Sequence, residues 1–389
     1  MVSWLRGMAV DTSALRYSRD YRLLVLGGFV SGLGTQVTLV ALPYQVYVLT
    51  RSSLMVGLIG LAELIPLVCV SLVGGTLADR LDRRRLLLAS QVAMLSTSAA
   101  LALGAVHGSP PVAVLFLLAG VASCGRPGWA GWRPGWAYGI DVATFIAMLI
   151  SVWMIHPQRP PAPEGHEPFF RSLVGGLRFA WSRGELMGSF VIDILAMTFG
   201  MPRALFPALS LTVYHAGAAG VGLLYAAVSA GAVVAAFTTG WLGTARRLGR
   251  IVVFAVLVWG FGIVVLGLTS SLWVAIAALT IAGAADSVSA VCRSTILQTA
   301  TPDSMRGRMS SIFMLVVAGG PRVGDVESGV VAAAAGTQAS VVSGGLLCML
   351  GVAPIVLAFP AFWRYEEHPV GSEPEGPDPV DQVTPTAAS

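Results

Sequence analysis

The amino-acid sequence predicts an all-α membrane protein whose chain crosses the bilayer many times, and three observations lead to this prediction. Of the 389 residues, 55% are hydrophobic and only 11% are charged, whereas about 25% are charged in a typical soluble domain. The mean hydropathy is +0.76. Apolar runs of about 20 residues, the length of a membrane-spanning helix, recur along the chain. This composition excludes an ordinary soluble enzyme, a nucleic-acid-binding protein and a disordered protein.

The apolar runs define ten predicted spans and one weaker segment. The weaker segment, 112–124, would extend only about 20 Å as a helix, which is short of a hydrocarbon core of roughly 30 Å. We therefore expect 10–11 spans. The ten predicted spans are 23–49, 54–78, 86–106, 136–155, 188–213, 219–243, 250–270, 272–292, 309–335 and 337–362.

The arginines predict how these spans are oriented, because cytoplasmic loops carry an excess of basic residues. Arginines precede the first span and cluster after the second, and in the second half they follow the second, fourth and sixth spans. Both termini are therefore predicted to be cytoplasmic, and the second half is predicted to have six spans. The chain is expected to lie in the plasma membrane, the inner membrane of the cell.

In the first half, the same reasoning does not give a consistent number of membrane crossings. An odd number of crossings is needed between residues 111 and 155, but two apolar segments lie there. Either one of them does not cross, or a crossing is missing from the sequence. The unit Arg-Pro-Gly-Trp-Ala occurs twice in this region, starting at Arg126 and at Arg133. A deletion could leave such a repeat, and a chance echo in a Gly/Trp-rich loop is the alternative.

Five regions follow from this pattern. The central loop contains apolar residues at helical spacing, which predicts a helix lying on the membrane surface or, alternatively, an extension of the next span. The tail has six acidic residues and no basic one, so it is expected to be disordered. The regions are a cytoplasmic N-terminus (1–22), an incomplete N-terminal bundle (23–155), the central loop (156–187), a C-terminal six-helix bundle (188–364) and the tail (365–389).

The loop between the second and third spans carries a recognisable motif. Its residues resemble the signature loop of the major facilitator superfamily, G-x-L-A-D-R-x-G-R-R/K-R/K, with Asp82 in place of the second glycine. The resemblance implies a fold of two helical bundles. It also implies that the charged cluster latches one conformation at the cytoplasmic mouth. The motif residues are Gly75, Asp79, Arg80, Arg83 and Arg84.

Four further stretches, 176–181, 205–209, 222–227 and 297–308, are similar to the enterobactin-exporter branch of this superfamily. That resemblance implies proton-coupled efflux of a siderophore or a hydrophobic drug by alternating access. The partners would be the lipid bilayer and a small-molecule substrate, with no nucleic acid, no cofactor beyond the proton gradient, and a monomeric chain. The branch has the rest of a fourth span and all of a fifth where this chain passes directly from Cys124 to Trp136.

Charged residues inside the spans are the candidate functional residues, because each costs about 2.5–3.5 kcal/mol at membrane depth on insertion scales. We expect the acidic residues Glu63, Asp193, Asp325 and Glu327 to include the proton-coupling groups, since burial disfavours the charged form of a carboxylate. The arginines would be their partners or counter-charges for an anionic substrate. The alternative is that these residues only form interhelical ion pairs or lie near span ends. The full set is Glu63, Asp193, Arg203, Asp286, Arg293, Arg322, Asp325 and Glu327.

No pattern of a catalytic triad, a phosphate-binding loop or a metal site is found, so the sequence predicts that the chain is not an enzyme. Two functions besides transport stay open. The chain could be an inactive, truncated transporter remnant, or a membrane scaffold that uses the bundle without transport.

Overall fold

A computed structural model describes residues 19–80, 83–106, 134–154 and 169–366. The N-terminal half contains four long helices: α1 (Arg19–Thr50), α2 (Ser53–Arg80), α3 (Arg83–Val106) and α4 (Pro134–Trp153). Several predicted features lie outside the described residues. These are most of the N-terminal segment, Asp82, the weak segment 112–124, the repeat up to Arg133, the loop 156–168 and the tail beyond residue 366.

The described part of the second half consists of helices joined by short non-helical links. A short helix α5 (Phe169–Ser182) precedes the bundle. The bundle helices are α6 (Gly184–Phe199), α7 (Phe206–Ala208), α8 (Gly217–Thr238), α9 (Leu248–Leu268), α10 (Leu272–Thr299), α11 (Asp303–Ala335), α12 (Thr337–Ala358) and α13 (Pro360–Trp363). The described residues of each of the ten predicted spans fall mostly on helix, and the described residues contain no strand.

Five of the described segments are long and apolar enough to cross a membrane on these grounds alone: Gly184–Val213, Gly217–Thr238, Leu248–Leu268, Leu272–Thr299 and Thr337–Ala358. All five lie in the second half. The outward-facing side chains of these segments are apolar, as Phe237, Phe254, Leu268 and Leu357 illustrate with exposures of 60–81%. Such a surface is suited to contact with lipid rather than water. The all-α, multi-span fold predicted from the sequence is thereby confirmed.

The predicted span 188–213 is not one continuous helix. Helix α6 ends at Phe199, a 3₁₀ turn follows at Arg203–Leu205, and α7 continues into a π-helical turn at Leu209–Val213. The cause is local, because Pro202 and Pro207 lack the N–H group that a continuous helix needs. We refer to residues 200–205 as the helix break.

Helix α5 is separate from the span that follows it. Arg183, between α5 and α6, has an extended backbone (φ −118°, ψ 103°) and interrupts the helical hydrogen bonding. One side of α5 packs on α11 and also contacts α2, whereas Val174, Leu177 and Trp181 on the other side are exposed. Its exposed side thus carries large apolar side chains, as expected of a helix that lies on a membrane surface, while its other side contacts both halves of the molecule.

The packing of α4 identifies its place in the fold. In the complete second half, the last span, α12, packs mainly against the third helix (α9) and also against α11 and the first helix (α6), whereas α10 packs mainly against the second and third helices. Helix α4 packs against the first (α1) and third (α3) helices of its own half. Because the two bundles of the fold that the sequence motif implies are structural repeats, α4 corresponds to the position of a sixth span.

Candidate functional site

The two halves meet most closely where α2 crosses α11. A Cβ atom placed on Gly60 would lie 2.7 Å from the carbonyl oxygen of Arg322, and one placed on Gly329 would lie 3.0 Å from the Cα of Gly57. Glycine is therefore needed at this crossing, because any side chain would force the helices apart. The crossing places the backbones of the two halves in direct contact.

One buried ion pair bridges this crossing. Nε of Arg322 on α11 lies 3.2 Å from Oε2 of Glu63 on α2, and the side chains are 15% and 4% exposed. The N–H group of Nε does not point at the oxygen, so the contact is an ion pair without an aligned hydrogen bond. Two residues that the sequence placed on different spans are thus brought together, and they belong to different halves.

A second charge cluster lies wholly inside the C-terminal half. Arg293 on α10 donates a hydrogen bond to Asp193 on α6, and both side chains are almost fully buried, at 2% and 1% exposure. Nη2 of Arg293 also lies 3.9 Å from Oδ1 of Asp286, whose side chain is 28% exposed. Oδ2 of Asp193 and Nε of Arg293 are buried without a hydrogen-bond partner among the described residues.

The helix break lies between the two clusters. The backbone N–H of Ala204 donates a hydrogen bond of 3.2 Å to Oδ1 of Asp325 on α11, and the break also contacts α2. On its other side, Arg203 interacts electrostatically with Asp286. The break therefore connects the cluster at the crossing of the halves with the cluster inside the C-terminal half.

A small cleft opens beside the break, between α1 of the first half and α8 of the second. Its polar lining groups are Gln36, Arg203, Tyr225 and Ser229. The hydroxyl of Tyr225 donates a hydrogen bond of 3.2 Å to the carbonyl oxygen of Arg203. A cationic side chain, an aromatic ring and neutral polar groups thus face one apolar-walled space, which is the usual make-up of a small-molecule site.

The predicted candidates fall into distinct places. Seven of the eight charged candidates lie in or around the two clusters. Glu327, the eighth, is half-buried on α11. Asp325 interacts electrostatically with Arg322, as its spacing predicts, but its hydrogen bond is to the helix break. The motif residues Gly75, Asp79 and Arg80 lie in the last turns of α2, and Arg83 and Arg84 begin α3.

Sequence reasoning missed Gln36, Tyr225 and Ser229, which line the cleft. Tyr225 lies within the stretch 222–227, whose sequence signal is its resemblance to the exporter branch, and its position next to buried Leu224 gives no sign of a cleft. No group of three metal-ligating side chains occurs in the part of the chain that the structure describes. The candidate site is therefore made of ion pairs, hydrogen-bonding groups and the cleft.

Comparison with known proteins agrees with this architecture. A family model described as "Transmembrane secretion effector" matches residues 13–131 and 128–380. The enterobactin exporter EntS of Citrobacter koseri is 28% identical over 359 residues, covering 80% of this chain and 84% of that protein. EntS of Shigella boydii is 26% identical over 416 residues, covering 94% and 97%.

The second of these alignments also measures a gap. It runs over 416 positions, yet 94% of this chain is only about 366 residues, so about 50 positions have no residue of this chain. The two family-model matches meet at residues 128–131, within the repeated Arg-Pro-Gly-Trp-Ala region. Together with the sixth-span position of α4, this favours a missing crossing over a segment that fails to cross.

Solved transporters share the fold at low identity. A bacterial homolog of the human lysosomal transporter Spinster, in an inward-facing and unoccupied conformation, is 13% identical with a TM-score of 0.61 and covers 90% of this chain and 100% of its own. The nucleoside transporter NupG is 10% identical with a TM-score of 0.68, covering 87% and 99%. The human organic anion transporter MFSD10 is 15% identical with a TM-score of 0.58, covering 87% and 100%.

Proposed function

The chain belongs to the family of transmembrane secretion effectors within the major facilitator superfamily, and from this premise we propose that it exports a small molecule in exchange for protons. Membership makes it a multi-pass membrane protein of the efflux-transporter class. Export would proceed by alternating access, with the two halves rocking around a site between them. We place the chain in the plasma membrane as a monomer, with both termini in the cytoplasm and the proton gradient as its energy source.

The observation that carries this proposal is the cleft between α1 and α8. It lies between the halves, it is lined by Arg203 and Tyr225, and it adjoins the helix break. A substrate bound there would touch both halves at once, so its arrival and release would depend on how the halves are placed relative to each other. An arginine and an aromatic ring can also hold an amphipathic molecule by stacking and by charge.

Proton coupling is proposed for the acidic residues of the clusters. Glu63 and Asp325 lie at the crossing of the halves, and Asp193 lies in the buried cluster of the second half. Protonation of Glu63 would remove its attraction to Arg322 and so weaken one contact between the halves. Such a link between a proton and the placement of the halves is what exchange transport requires.

The substrate class is proposed from relatives. The curated relatives are exporters of enterobactin by name, so we propose a siderophore or a hydrophobic drug as the substrate. Everted membrane vesicles test this, with enterobactin and ethidium as the two probes. We expect probe uptake that needs an acidic vesicle interior and stops when a protonophore is added. Uptake equal to that of vesicles lacking the protein, for both probes, would overturn the proposal.

A second candidate is a transporter remnant without activity, or a scaffold. The observation that favours it is the missing crossing, because a bundle with an odd number of lost spans cannot place both termini on the same side. Resequencing the gene around codons 124–136 tests it first. An additional stretch of about 55–60 residues, enough for two spans, would support the exporter. An unchanged sequence together with inactive vesicles would support the remnant or scaffold.

A further inference from the structure

A group of arginines lies at one end of the C-terminal half, where α9 begins and α13 ends. In the first turn of α9, the guanidinium carbon of Arg250 lies 5.3 Å from the ring centroid of Trp363. Arg247, just before α9, pairs with Glu366 at 2.9 Å. The residues that follow α13 are thereby held beside the start of α9, at the end of the bundle predicted to be cytoplasmic. We call these arginines the basic cluster, and its members are Arg246, Arg247, Arg250 and Arg364.

The positive charge of the basic cluster is only partly neutralised. Four arginines face one described carboxylate, that of Glu366, and its pair with Arg247 is exposed on both sides, at 60% and 50%. An exposed pair of this kind is weak, so another anion can compete for Arg247. Nε of Arg250 is buried without a hydrogen-bond partner among the described residues. A phosphate group suits this cluster, because a guanidinium binds phosphate through two parallel hydrogen bonds.

An apolar stripe on α9 continues from the basic cluster. Phe254, Val258 and Phe261 follow Arg250 at spacings that keep them on one side of the helix, and they are 60%, 41% and 59% exposed. The ring of Phe254 also lies 6.3 Å from that of Trp363. The helix rises about 16 Å from Arg250 to Phe261, which is roughly one leaflet of a 30 Å hydrocarbon core. The stripe therefore has the length of a lipid chain and begins at the arginines.

We propose that the basic cluster binds the headgroup of an anionic phospholipid whose acyl chain lies along the stripe of α9. Basic groups at the cytoplasmic ends of membrane helices attract anionic headgroups, and Trp363 has the aromatic character typical of the membrane interface. The acidic tail is the competing occupant. Residues 367–389 carry five acids but no Leu, Ile, Met, Phe or Trp, so the tail matches the charge and not the stripe, whereas a lipid matches both. The inference needs the membrane-embedded fold and is independent of what the chain exports.

The experiment uses the full chain in a neutral detergent with phosphatidylglycerol that carries a fluorescent label on one acyl chain. Unlabelled phosphatidylglycerol and phosphatidylcholine with the same chains compete for the label. We expect phosphatidylglycerol to displace it at a concentration lower by about tenfold or more. Arg250→Gln and Arg364→Gln should each weaken the binding of phosphatidylglycerol by about fivefold, the contribution of one arginine near an anionic headgroup. Glu366→Gln should strengthen it, because the substitution frees Arg247.

The matched control is Arg306→Gln, which removes the same charge from an exposed pair with Asp303 on α11 and should leave the affinity unchanged. Phe254→Ser should weaken the binding of both lipids, since it interrupts the stripe. Equal displacement by the two lipids in the wild type would overturn the proposal and leave the acidic tail as the group that covers the arginines. An equal loss of affinity in Arg306→Gln and Arg250→Gln would also overturn it, because net charge alone would then explain the binding. A chain that exports nothing would leave these outcomes unchanged, so this inference and the proposed function fail separately.

Discussion

The two halves of the molecule are repeats of one helical bundle, but only the C-terminal half has all six helices of that bundle. In the C-terminal half α11 packs against α6 and α12 and closes the bundle. In the N-terminal half, α4 corresponds to the sixth helix, and about 50 positions of the alignment with EntS of Shigella boydii have no residue of this chain. By the symmetry of the repeats, α11 crosses α2, and its missing counterpart would cross α8.

A short internal repeat has different surroundings in the two halves. Residues 56–59 of α2 read Val-Gly-Leu-Ile, and residues 221–224 of α8 read Val-Gly-Leu-Leu. Gly57 is buried against the backbone of Asp325 on α11, whereas Gly222 lines the cleft between α1 and α8, so that a Cβ on it would meet no atom within 4 Å. Nearly identical local sequences thus have different surroundings. The difference teaches that burial here is decided by the partner helix and not by the sequence of the helix itself.

The largest expected effect comes from separating the halves. We expect residues 169–389, produced alone, to be monodisperse in detergent and helical, and residues 1–154 to aggregate. The reason is electrostatic. Without α11, buried Glu63 loses Arg322, whereas Arg322 without α2 keeps its attraction to Asp325. Size-exclusion chromatography checks this, and a monodisperse N-terminal half would contradict the asymmetry.

The next effect concerns the charge cluster inside the complete half. Arg293→Leu should lower the free energy of unfolding by about 3–5 kcal/mol, because removing one partner leaves Asp193 buried without its counter-charge. Arg306→Leu is the matched control, since Arg306 pairs with Asp303 on the surface, where a pair contributes about 0–1 kcal/mol. Thermal unfolding in detergent measures both. Equal stability of the two variants would mean that the cluster does not hold the C-terminal half together.

The helices of both halves could be predicted from the sequence because span length and hydropathy are local properties. The described residues of each predicted span fall mostly on helix, and the spacing of seven between Asp286 and Arg293 places them on one side of α10, where they do interact. The helix break could be foreseen only as a kink at Pro202 and Pro207, because the length and overall hydropathy of the surrounding run are those of a single span.

The pairings between helices could not be predicted. Asp193 and Arg293 are 100 residues apart and meet only because α6 and α10 pack together. Glu63 meets Arg322 because three glycines let α2 and α11 approach closely, and nothing near Glu63 in the sequence indicates that partner. The cleft residue Tyr225 could not be predicted for the same reason. The cleft lies between α1 and α8, two helices that are far apart in the sequence.

A smaller effect tests the internal repeat directly. Gly57→Leu should lower the free energy of unfolding by about 1–3 kcal/mol, the usual cost of overpacking, because its side chain would collide with α11. Gly222→Leu, at the equivalent position of α8, should change the stability by less than about 0.5 kcal/mol because its surroundings are open. Thermal unfolding of the two variants side by side is the measurement. A Gly222→Leu variant as unstable as Gly57→Leu would show that the face of α8 is occupied after all.

The smallest expected effect is that of the ion pair between the halves. Glu63→Gln should destabilise the protein by about 1 kcal/mol, less than Arg293→Leu, since Arg322 is 15% exposed and retains Asp325 nearby. A double-mutant cycle with Arg322→Gln should give a coupling energy of about 0.5–1.5 kcal/mol between the two side chains. The same cycle between Glu63 and Arg293, which belong to different clusters, should give none. Because Glu63 and Arg322 belong to different halves, their coupling energy measures how much this ion pair contributes to holding the two halves together. A coupling energy of zero would mean that helix packing alone stabilises the close crossing of α2 and α11.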